Sequence, residues 1–194
     1  MNANTVYEYL TLFVMAVAAA ILQSGVYPVF FGQAKPPVLM AVALYYAWMR
    51  PVPVALVSAL VCGLLQDGIG VLPAGTSVAW MVFLAVACHR LRTRFALNGS
   101  EMLVNVAVCM GLVVAVAPLT VAVEYVSLRL FGGIGALRWY FLLSRVTGCT
   151  LLAIPVGIVT VLTGIGLNAM ALKTQTEKRG DTHDWTRHSL GGGA

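Results

Sequence analysis

The chain is expected to be an all-α integral membrane protein with six transmembrane helices. Three observations carry that expectation. Of its 194 residues, 60% are hydrophobic and only 10% charged, with a mean hydropathy of +0.88; a soluble domain of this size has about a quarter of its residues charged. The apolar residues fall into long runs parted by short segments bearing Pro, Gly or Arg. The Lys and Arg residues flank those runs, so the formal net charge of +5 reads as topology information and not as a nucleic-acid surface.

The first span is expected from Val6 to Tyr27, about 22 residues. No Lys or Arg precedes it and no small-x-small cleavage site follows, so it reads as a retained helix and not a cleaved signal. Ala16, Ala20 and Ser24 share one face, smooth enough for another helix backbone to approach. Pro28 and the Gly32–Pro37 segment then make a turn. From Pro36 to Gly70 the only formal charges are Arg50 and Asp67, and Pro51 and Pro53 break the run beside Arg50. Two short helices are expected, about 36–49 and 52–69. The first, at about 20 Å, is marginal as a span and is expected to be tilted or partly irregular.

Gly68, Gly70, Pro73 and Gly75 mark a tight connection to a fourth helix over about 76–88. The run His89-Arg90-Leu91-Arg92-Thr93-Arg94 ends that helix. Asn98 to Glu101 is a helix-start signal, giving a fifth span over about 101–125. A glycine-bearing loop from Ser127 to Leu137 leads to a sixth span, about 138–167, loosened by Gly148, Pro155 and Gly157. Residues 1–172 thus form the transmembrane domain. Residues 173–194 are read as a polar cytoplasmic tail, expected to be disordered.

Six spans place both termini on one side of the bilayer. That side carries Arg50, Arg90, Arg92, Arg94, Lys173, Lys178, Arg179 and Arg187; the other carries Lys35, Arg129 and Arg138. The positive-inside rule makes the richer side cytoplasmic, with Arg50, Arg90, Arg92 and Arg94 as topology anchors. Trp139, Tyr140 and Phe141 read as an interfacial aromatic belt. Cys62, Cys88, Cys109 and Cys149 lie in apolar segments without CxxC spacing and are expected as free, buried thiols.

Catalytic and cofactor signatures do not emerge. Asp67 has no second carboxylate beside it for an aspartyl mechanism; Glu124 is the one remote candidate. His89 lies in the basic run, and there is no Gly-x-Ser-x-Gly elbow. Gly68 to Ser77 lacks the Gly-Lys-[Ser/Thr] of a phosphate loop, and His183 and His188 lack companion zinc ligands. No enzyme activity, cofactor or metal is therefore expected.

Asp67, Glu124 and Arg145 remain as intramembrane ionisable groups at similar outer-leaflet depth. A charge-compensated structural cluster is the preferred reading, and a partner- or solute-binding site the alternative. Asp67 has two possible contacts, the Arg145 guanidinium or the free N–H groups at the Gly75–Ser77 helix start. The short glycine-rich turn between Asp67 and Thr76 favours the second.

The run Cys62-Gly63-Leu64-Leu65-Gln66-Asp67, followed by Pro73-Ala74-Gly75-Thr76-Ser77, resembles the rod shape-determining protein MreD family. The aromatic segment Leu44-Tyr45-Tyr46-Ala47-Trp48 before a basic residue is similar to that family's second span. The resemblance covers about 36–95. It implies a non-enzymatic bacterial inner-membrane component of the cell-elongation machinery, working with MreC, with RodA and its transpeptidase partner, and indirectly with MreB. It marks Gly63, Asp67, Pro73, Gly75 and Ser77 as structural or partner-contact candidates; Gly68 of the tight connection and the intramembrane Glu124 and Arg145 join them on the residues' own chemistry. The family also resembles the six-helix substrate-binding subunits of energy-coupling-factor transporters. That implies an alternative, a small-solute-binding subunit, which the short third-to-fourth connection and thin polar inventory disfavour.

Overall fold

The computed structural model describes residues 3–26, 37–70, 74–94, 102–131 and 139–190. Six α-helices account for nearly all of them: α1 (Ala3–Ile21), α2 (Val38–Met49), α3 (Val52–Ile69), α4 (Thr76–Arg94), α5 (Met102–Phe131) and α6 (Trp139–Leu190). A π-helical turn, Leu22–Val26, prolongs α1. No strand occurs among the described residues.

Among the described residues, four segments are long and apolar enough to cross a membrane: Thr5–Gly25, Val52–Ile69, Val104–Leu130 and Leu143–Leu167. Their outer faces carry exposed Leu10, Phe13, Leu60, Leu64, Leu119 and Leu151. Apolar surface on that scale is out of place in water and ordinary against acyl chains. The chain is an all-α, multi-pass membrane protein.

The other two helices differ for physical reasons. At 12 residues, α2 is about 18 Å long, well short of a bilayer core. Apolar on all sides, it is enclosed by protein, and every residue from Val38 to Trp48 is buried. Its regular helix replaces the partly irregular element expected there. Helix α4 has 19 residues, but its last turns hold His89, Arg90, Arg92 and Arg94.

Leu12, Met15 and Ala16 of α1, Ala55, Ala59 and Cys62 of α3, Met81 and Leu84 of α4, and Val113 and Ala117 of α5 are also buried. All four cysteines are free and buried, as the apolar surroundings predict. Ala16 and Ala20 face inward, but Ser24 is exposed; within the π turn Gln23 is the buried residue instead. The wider π turn changes the helix register there, and such turns often re-aim a side chain.

The chain divides into two compact units, Met1–Val161 and Leu162–Ala194. The second unit begins within the apolar part of α6. The expected disordered tail is helical to Leu190. Ala171 to Arg179 is rich in good helix formers, so the change from apolar to polar residues does not interrupt the backbone hydrogen bonds. Likewise α5 continues to Phe131, through residues expected to be loop.

Candidate functional site

The polar contacts of the Met1–Val161 unit gather at two ends of the buried helix α2. At its C-terminal end, the Trp48 carbonyl accepts a 2.7 Å hydrogen bond from Arg92, and Trp48 Nε1 donates to Asn105 Oδ1 at 3.3 Å. Arg50 pairs with Glu8 at 2.6 Å. Two expected topology anchors, Arg50 and Arg92, therefore also have contacts inside the protein. Arg90 and Arg94 are exposed. Glu8 was not foreseen from the sequence, although an arginine stranded in an apolar run calls for an acidic partner at its own depth.

The other end is richer. Pro37, at the N-cap of α2, provides no side-chain hydrogen bond. Gln23, only 3% exposed, supplies the missing acceptor from another helix: its Oε1 accepts from the Leu39 N–H at 3.2 Å. Its Nε2 donates to Gln66 Oε1 at 2.6 Å. One amide thus joins the end of α1, the start of α2 and the last turn of α3. A buried helix start without water needs such a partner.

Next to Gln66, Asp67 settles the choice posed by its sequence. Its Oδ2 accepts from the Gly75 N–H at 2.7 Å and its Oδ1 from the Ser77 N–H at 2.9 Å. The carboxylate of α3 therefore caps α4, where unpaired N–H groups and the helix dipole favour negative charge. Gly75 sits at φ +92°, the left-handed turn conformation that brings its N–H round to Asp67. Gly63 lies one helical turn before Asp67, on the same face of α3. A Cβ at Gly63 would fall 2.6 Å from Val78 Cα and 3.0 Å from Val78 N. The glycine lets the two backbones approach, and Asp67 fastens them one turn further on.

Gly68 plays no comparable part. It is exposed, a Cβ there would meet open space, and its backbone is helical. Pro73 lies outside the described residues. The contrast is testable in detergent by thermal unfolding. Gly75→Ala should cost about 1–2 kcal/mol, because the left-handed backbone strains any Cβ. Gly68→Ala should cost nothing and gain up to about 0.5 kcal/mol from helix propensity.

Arg145 does not reach Asp67. It pairs with Glu124 at 3.0 Å, linking α6 to α5. The three ionisable groups expected as one cluster form two separate units, the Asp67 cap and the Glu124–Arg145 pair. Between α2 and that pair, Trp80 Nε1 donates to Thr120 Oγ1 at 3.1 Å, and Thr120 Oγ1 lies 2.9 Å from Met40 Sδ.

These groups surround a cavity of about 40 Å³, room for about three water molecules. Its polar wall includes Gln23, Gln66, Ser77, Thr120, Glu124 and Arg145; Met40, Trp80 and Met81 contribute apolar surface. Gln23, Gln66, Trp80 and Thr120 were missed at the sequence level. The available signal was an amide or hydroxyl stranded in an apolar run, which in lipid needs an internal partner. No three His, Cys, Asp or Glu side chains converge as metal ligands among the described residues. Compared with family models, curated proteins and solved structures, the chain matches none.

Proposed function

We propose that this protein is an MreD-like, non-enzymatic component of the bacterial cell-elongation complex, a six-span inner-membrane scaffold that supports MreC. RodA, its transpeptidase partner and, indirectly, MreB complete the assembly. The observation that carries the reading is the unit built by Gly63, Asp67, Gly75 and Ser77. These are the residues of the MreD-like pattern, and they form one interhelical fastening. A motif spent on joining two helices suits a protein whose task is to present a defined membrane surface. Both oxygens of Asp67 already accept backbone N–H groups, and Glu124 is paired with Arg145, which favours a structural role over acid–base chemistry.

In this reading α2 and α4 also cross the bilayer. The fold then resembles the substrate-binding subunits of energy-coupling-factor transporters. The Arg50 and Arg90–Arg94 end is cytoplasmic, as are both termini. Reporter fusions at Ala194 and near Gly133 test this; the Ala194 fusion should report cytoplasm and the Gly133 fusion periplasm. A periplasmic C-terminus would exclude six spans.

Affinity purification of the tagged chain from bacterial membranes in mild detergent, with identification of co-purifying proteins, tests the function. MreC is the expected partner. Recovery of a transport ATPase in place of MreC would overturn the scaffold reading in favour of solute uptake.

A further inference from the structure

We infer that the cavity beside the Glu124–Arg145 pair is a binding site for a small zwitterion, a molecule carrying one amine and one carboxylate. The inference goes beyond the scaffold role and does not depend on it. The cavity lies beside the first turn of α2, where Pro37 and Met40 line it, and its wall is mostly apolar with a few polar groups set into it. Polar groups at membrane depth are tolerated where they are paired or line a cavity.

The electrostatics select the ligand. Glu124 and Arg145 face each other at 3.0 Å, and both line the cavity. The wall therefore presents one negative and one positive group side by side, with no net charge. A simple anion placed there would gain Arg145 but meet Glu124; a simple cation would meet the reverse. A zwitterion matches both at once, and its own opposite charges lower the cost of leaving water.

Arg145 holds Glu124 through one terminal nitrogen, Nη2, at 3.0 Å. A guanidinium carries five N–H donors, so one bound in this way can still offer a terminal N–H to a second carboxylate. The hydroxyl of Thr120 and the amides of Gln23 and Gln66 add neutral donors and acceptors around the pair. Room for about three water molecules suits a ligand of the size of glycine. Met40, Trp80 and Met81 would lie against any short apolar body.

The full-length protein in lipid nanodiscs is the sample, titrated calorimetrically with glycine, alanine, β-alanine and 4-aminobutyrate. Acetate and methylammonium serve as single-charge controls. At least one zwitterion should bind saturably, and at least tenfold more tightly than either control. Glu124→Gln should weaken that binding about tenfold or more by removing the ammonium's partner. Thr120→Val keeps the ion pair and should weaken it severalfold, which covers the case in which Glu124→Gln fails to fold. Glu8→Gln, at the opposite end of α2, should leave binding unchanged. Absence of saturable binding by all four zwitterions to folded protein would overturn the inference. So would acetate or methylammonium binding as tightly as the zwitterions, or binding indifferent to both Glu124→Gln and Thr120→Val.

Discussion

Replacing Asp67 with leucine should destabilise the protein by about 2–4 kcal/mol while leaving membrane insertion intact. The carboxylate accepts two backbone hydrogen bonds, at 2.7 and 2.9 Å, from Gly75 and Ser77. Hydrogen bonds to a charged group are worth about 1.5–3 kcal/mol each, and the substitution removes both acceptors, leaving the N–H of buried Ser77 without its partner. The offset is the desolvation cost of the carboxylate, which leucine removes; that same term eases insertion of α3. Asp67→Asn keeps one acceptor oxygen but turns its NH2 group toward the other N–H, so it should lose about 1.5–3 kcal/mol.

Denaturant or thermal unfolding in detergent measures these values. The cycle with Arg145→Leu is the sharper test. Asp67 and Arg145 have different partners in the structure, so the two losses should add to within about 0.5 kcal/mol. Rescue of Asp67→Leu by Arg145→Leu would restore the ion pair that the geometry rejects.

Gly63→Ala should be nearly as damaging, at about 2–3 kcal/mol, although it adds a single methyl group. The obstacle is backbone. The new Cβ would stand 2.6 Å from Val78 Cα, and no rotamer change relieves that. Overpacking of this kind costs about 1–3 kcal/mol, and the remedy, moving α3 away from α4, also stretches the Asp67 bonds. The two positions must therefore be coupled. Asp67→Leu should cost at least about 1 kcal/mol less in the Gly63→Ala background than in the parent. Full additivity would show that the close approach at Gly63 and the cap at Asp67 are independent features.

Much of the architecture was legible in the chain. Apolar runs of spanning length predict helices, and Pro51, Pro53 and the Gly68–Gly75 stretch mark where they stop. The cap by Asp67 was also within reach. It depends on a short turn, and a carboxylate eight residues before Gly75 has few places to go. Local chain geometry dictates such contacts.

Contacts across long sequence separations were another matter. Nothing local says that Arg145 meets Glu124 instead of Asp67, because both carboxylates stand at similar depth and the packing of α5 against α6 makes the choice. Nor does the chain announce that Gln23 caps α2, since that requires the π turn at the end of α1 and the approach of two other helices. The run Val38–Trp48 reads alike as a short span and as a helix buried on every side, for hydropathy measures dislike of water and cannot tell lipid from protein. Composition and spacing determined the apolar helices and the cap between neighbours, while α5 and α6 run on past their expected ends. Only the tertiary arrangement decided which polar groups pair across the bundle, because each apolar run offers many faces and packing selects one.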